Sequence, residues 1–190
     1  MKKYISYILV PSIMLITGSC IKDPLPVNES ELITTVQLTL TDTASPYNTH
    51  SIIFRDLDGD GGTDAILTPD SLSLPAGTAF NATLLLLDER NPETDTINRE
   101  ITAENTAHQF FYQSIPSDVL TNFSYLSFDD NGKPLGLTFS CESKNVPSNG
   151  ALKVILRHEP NKSAAGVASG DISNADGETD IEIAFPFYIR

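Results

Sequence analysis

The chain predicts an all-β fold: an antiparallel immunoglobulin-like β-sandwich of about eight or nine strands after an N-terminal lipoprotein signal peptide. Three observations carry that expectation. Short runs alternate apolar and polar residues, as where Val36, Leu38 and Leu40 stand between Gln37, Thr39 and Thr41. Turn-forming clusters of Gly, Pro, Asn and Asp interrupt these runs at intervals of roughly 8 to 15 residues. No stretch long enough for a packed helix combines a helical apolar period with caps, so the crossover helices that a parallel sheet requires are missing from the pattern.

The elements follow in order. Residues 32–41 read as a first strand and 51–54 as a second, with short strands expected at 65–67 and 71–74. Pro75-Ala76-Gly77-Thr78 makes a turn into 79–88, the strongest strand, whose consecutive leucines Leu84 to Leu87 predict burial on both faces. Residues 96–102 alternate again, and His108-Gln109-Phe110-Phe111-Tyr112 forms a dense aromatic strand. A hairpin is expected from 123–128 and 135–140 around Asp129-Asp130-Asn131-Gly132, because Asn-Gly suits a tight turn. Residues 150–158 form a further strand, 160–179 a long small-residue loop, and 180–185 a strand with Ile181, Ile183 and Phe185 on one face. No internal repeat is visible.

Ahead of these strands stands an export signal. Lys2 and Lys3 precede an apolar run that ends in Ile16-Thr17-Gly18-Ser19-Cys20, the layout of a lipobox. The run is interrupted by Pro11 and is shorter than the ~20 apolar residues that span a bilayer. The expectation is therefore a cleaved signal at 1–19, lipid on Cys20, a tether over 20–30 and a sandwich domain over 31–190. Acyl chains contribute about 0.8 kcal/mol per buried methylene, enough to hold the protein on a membrane without a spanning segment. A lipid-anchored envelope protein on the periplasmic or cell-surface face is therefore expected. Ile21-Lys22-Asp23-Pro24, just beyond the cysteine, resembles part of a surface-export signal.

All 25 acidic residues follow Cys20, with 10 of the 12 basic ones, leaving a formal charge of −15 on that part of the chain. Such acidity disfavours nucleic acid and anionic lipid headgroups as partners and suits cations. Of the two cysteines, Cys20 is assigned to lipid, so Cys141 is expected as a small buried hydrophobe rather than a reactive thiol or half of an intramolecular disulfide.

The segment most suggestive of ligand chemistry is Asp56-Leu57-Asp58-Gly59-Asp60-Gly61-Gly62-Thr63-Asp64. Carboxylates at Asp56, Asp58, Asp60 and Asp64, a glycine at the sixth position and the Gly62 carbonyl match the layout of calcium loops, in which alternate side chains converge on one hard cation. An acidic, solvent-exposed β-turn explains the same residues. The twelfth position is Leu67 rather than a bidentate Glu. Asn174-Ala175-Asp176-Gly177-Glu178-Thr179-Asp180 repeats part of the pattern and reads as a turn and a lesser contributor to a cation site. Imidazole suits zinc and copper, so two or three of His50, His108 and His158 could together form a transition-metal site, with His158 at a strand end the most suggestive. Surface positions explain them as well. No nucleophile elbow, zinc-protease helix or phosphate loop occurs, so no catalytic residue is assigned and no enzyme is expected. Asp42-Thr43-Ala44, Asp70-Ser71-Leu72 and Asp95-Thr96-Ile97 resemble an envelope O-glycosylation sequence.

The leader, Phe54-Arg55-Asp56-Leu57-Asp58-Gly59-Asp60-Gly61, His108 to Tyr112, Leu156 to Lys162 and Gly177 to Glu182 together resemble a family of small flavobacterial (Bacteroidota) envelope lipoproteins. Its members commonly carry the name "type 1 periplasmic binding fold" protein. The resemblance implies company with outer-membrane uptake receptors and supplies no catalytic residues. A type 1 binding fold has two doubly wound α/β lobes, whereas the strand pattern here predicts a sandwich. The expectation for function is a non-enzymatic, outer-membrane-anchored module that binds a ligand or partner, as an accessory to a TonB-dependent receptor. The alternative is a calcium- or transition-metal-binding envelope protein acting alone.

Overall fold

The computed structural model describes residues 32–59 and 62–190. The signal peptide, Cys20, the tether and Asp60 therefore lie outside the described residues. Alternating burial builds two sheets packed face to face, as the all-β reading requires.

The larger sheet centres on β1 (Thr35–Asp42), flanked by β2 (Thr49–Arg55) and β5 (Ala79–Asp88). β3 (Ile66–Thr68) extends it beyond β2. On the other side stand β9 (Thr138–Ser143) and β8 (Leu120–Tyr125), with the two-residue β6 (Asp95–Thr96) also on β5. The smaller sheet runs β4 (Leu72–Leu74), β11 (Glu178–Ile189), β10 (Ser148–His158) and β7 (His108–Ile115). Every pairing is antiparallel except β4 with β11, which is parallel and departs from the wholly antiparallel expectation. Leu38, Leu40, Ile52, Phe80 and Leu86 from one sheet meet Phe110, Leu156, Phe185 and Phe187 from the other in one core. Burying each such side chain contributes about 1.5–3 kcal/mol, which is how the domain holds without an intramolecular disulfide.

Two local expectations are corrected. Leu84 to Leu87 are not buried on both faces: Leu84 and Leu86 enter the core while Leu85 is 38% exposed, so β5 is one-sided like its neighbours. Residues 98–103 form a short helix, α1 (Asn98–Ala103), rather than continuing a strand from 96. Ile97 and Ile101 are buried, and their spacing of four fits a helix as well as a strand. Asn98 decides between them. Its side-chain amide donates to the Leu84 carbonyl at 2.9 Å and its Oδ1 accepts the Leu86 amide at 2.7 Å, replacing the next rungs of a ladder. Among the described residues no helix is long and apolar enough to cross a membrane.

The segment 159–177 folds over the outer face of the smaller sheet, where Val167 and Ala175 are buried with Phe111 and Ile155. Lys162 pins it. Its ammonium donates to Asp129 Oδ2 at 2.9 Å and to the Asn105 carbonyl at 2.8 Å, and both charged side chains are at least 95% buried. The segment returns to β11 through Gly177, whose φ is +72° and where a Cβ would sit 2.2 Å from the His158 carbonyl oxygen. Only glycine fits there.

Candidate functional site

β7, β10 and β11 are neighbours, and His108 lies directly opposite His158 in their ladder. Both histidines continue the inward-facing alternation of their strands, after Phe110 and Tyr112 on one and Val154 and Leu156 on the other. Asp180 has the wrong parity, because Ile183 and Phe185 are its strand's inward residues. The register slips at that point. Leu156 pairs with Ile181 while Arg157 pairs with Thr179, so Asp180 is the extra residue of a β-bulge. A bulge re-aims side chains, and this one turns Asp180 toward the histidines.

The three functional atoms are close. His158 Nδ1 lies 3.0 Å from His108 Nε2, and Asp180 Oδ2 lies 3.9 Å from each. Side-chain exposures are 0% for His108, 10% for His158 and 3% for Asp180. His108 Nδ1 is 3.1 Å from the carbonyl of Glu104, just after α1. A carbonyl only accepts, so Nδ1 carries the proton and His108 Nε2 presents a lone pair to the cluster. His158 Nδ1–H then donates to it. Burial holds the His108 imidazole below its usual pKa, with smaller opposing and supporting contributions from the Glu104 carbonyl and from His158 and Lys162. Burial likewise pushes the Asp180 carboxyl above the usual range, against the pull of His158. Asp180 Oδ2 makes no hydrogen bond among the described residues.

Asp180 also lines a cleft of about 530 Å³ at the end of the sandwich where the described chain begins. Leu32, Ile33 and Phe54 supply apolar walls, and Asp56, Asp58 and Glu182 carboxylates. Among the described residues, the only basic one lining it is Arg90, which is paired to Asp88 at 2.7 Å. The cleft is acidic.

The acidic loop borders this cleft. Asp56 Oδ1 accepts the Gly59 amide at 2.8 Å and Asp58 Oδ2 the Thr63 amide at 2.9 Å, so these carboxylates hold the loop's own turn. The Thr63 amide holds the Asp58 carboxyl below its usual range. Gly62 leaves room for that arrangement, since a Cβ would stand 2.4 Å from the Asp58 carboxyl carbon. Among the described residues, His108, His158 and Asp180 form a set of three potential ligand atoms within 4.8 Å of one another; Asp56, Asp58 and Asp64 do not.

His50 stands apart, edge-on to Phe80 in the larger sheet with ring centroids 6.0 Å apart. Cys141 is buried, and burial pushes its thiol up to about 12. The sequence singled out His158 and placed Asp180 in a minor cation-site segment; the bulge that unites them leaves no mark in the periodicity. No protein-family model, curated protein or solved structure matches this chain.

Proposed function

We propose that this protein is a non-enzymatic, lipid-anchored envelope module that binds a partner through the acidic cleft, as an accessory to an outer-membrane TonB-dependent receptor. The cleft's position is the observation that supports the reading. Leu32 lines it and follows the candidate lipidated Cys20 by 12 residues, a span of at most ~40 Å when extended. A lipid on Cys20 would therefore keep the cleft within reach of proteins embedded in the same membrane.

Its chemistry defines the complement. Acidic side chains beside Phe54, Leu57 and Ile181 suit a partner surface that is basic with apolar residues. The resemblance to envelope lipoproteins supports the same company.

The test is recovery of the natively lipidated protein from gently solubilised outer membranes, with companions identified by mass spectrometry. One β-barrel receptor in near-stoichiometric amount is expected, lost when Asp58 and Glu182 are both replaced by Lys. Recovery of no receptor, or undiminished recovery with the double variant, overturns the reading.

A further inference from the structure

We propose that His108, His158 and Asp180 form a binding site for one divalent first-row transition ion, with zinc as its reference occupant. This goes beyond the cleft reading and stands or falls independently of it.

The geometry carries the inference. His108 Nε2, His158 Nδ1 and Asp180 Oδ2 form a triangle with sides of 3.0, 3.9 and 3.9 Å. The point equidistant from the three corners of such a triangle lies about 2.1 Å from each. Zinc bonds to imidazole nitrogen are about 2.0–2.1 Å and to carboxylate oxygen about 2.0–2.2 Å. One ion in or just above that plane would touch all three atoms without moving a strand.

The donor set and its surroundings fit the same occupant. Two imidazoles and one carboxylate select a borderline ion over calcium, which takes oxygen ligands. The Glu104 carbonyl fixes the His108 ring so that Nε2 points inward, the usual outer support of a metal-bound histidine. Among the described residues, the buried Asp180 Oδ2 makes no hydrogen bond, and a bound cation would supply the partner it lacks there. The nearby Lys162 ammonium does not meet that need, because it is paired with Asp129. Asp180 also lines the acidic cleft, which joins the site to the cation-favouring end of the sandwich. On binding, the ion replaces the N–H···N contact between the rings. His158 stays neutral by carrying its proton on Nε2, while Nδ1 becomes a ligand.

The experiment uses the full chain, stripped with chelator and titrated with zinc by calorimetry and with cobalt(II) by visible spectroscopy. One ion per chain is expected, with the absorption of a nitrogen- and oxygen-ligated cobalt centre. Removing outer-shell partners of metal sites costs about 10- to 100-fold in affinity, so loss of a ligand in H158Q or D180N should cost at least about 100-fold. H50Q should bind like the original protein. Absence of stoichiometric binding by folded protein overturns the proposal, as does undiminished binding by either ligand variant. Should those variants fail to fold, nitrogen NMR of the original protein decides. Zinc should shift the ring nitrogens of His108 and His158 and leave those of His50 in place; unchanged His108 and His158 signals refute the site.

Discussion

Replacing Lys162 with Met keeps the length of the aliphatic stem and removes the ammonium that joins segment 159–177 to the hairpin turn. The carboxylate it leaves behind is 99% buried. Asp129 Oδ1 keeps the amides of Asn131 at 2.9 Å and Lys133 at 2.8 Å, whereas Oδ2 loses its 2.9 Å partner. Breaking a buried pair on one side costs about 3–5 kcal/mol, and the two surviving amides put this case near the lower end, about 3 kcal/mol. For a domain of this size that is a fall in Tm of roughly 6–12 °C. Urea unfolding followed by circular dichroism measures it directly.

The double variant K162M/D129N should recover at least half of the loss, because the stranded charge is gone. The acid limb tests the same pair by another route. Burial raises the Asp129 carboxyl, but Lys162 and the Lys133 and Asn131 amides outweigh it and hold the folded-state pKa below the usual range. Between that value and the unfolded value near 3.9 the unfolded chain binds more protons, so stability falls as pH drops below about 4. K162M should flatten that fall. A cost below about 1 kcal/mol, or an unchanged acid limb, would refute the assignment of Lys162 and Asp129 as a buried ion pair whose carboxylate depends on the ammonium.

Three further outcomes are expected. L86A should cost about 2–5 kcal/mol and L85A less than about 1 in the same urea assay, because only Leu86 is fully buried; equal costs would contradict the one-sided burial of β5. G177A should destabilise by at least about 2 kcal/mol and speed hydrogen exchange at the amides of Val167 and Ala175, since a left-handed φ and contact with the His158 carbonyl oppose a side chain; unchanged exchange would show that the segment adjusts freely. With Cys20 replaced by Ser, alkylation of Cys141 at pH 8 should be roughly 10³-fold slower in the folded than in the urea-unfolded chain, as a thiol at about 12 has little thiolate beside an unfolded one near 8.5. Comparable rates would place the thiol at the surface.

The sandwich was legible because period-2 alternation is a local property: β5 spans the expected Ala79–Asp88, and the expected hairpin turn closes through the Asp129 to Lys133 hydrogen bonds. α1 was not. Ile97 and Ile101 satisfy a strand and a helix equally, and the Asn98 contacts to β5 that decide between them depend on tertiary placement. The candidate metal centre shows the same division. His108 and His158 could be named, but their pairing depends on strand register across 50 residues, and Asp180 joins them through a one-residue slip in β11. Local patterns do not encode either.

The strand order has a consequence for when the protein can fold. β11 lies between β4 and β10, and its parallel rungs join Leu72 to Phe187, 115 positions later. The smaller sheet therefore cannot assemble progressively as the polypeptide emerges; its second strand arrives only after every other strand has been made. Contacts this distant in sequence slow folding, because the intervening loop must be ordered before they are gained. A polypeptide with that strand order lacks a complete smaller sheet, and so its final compact form, until nearly the whole sequence is available.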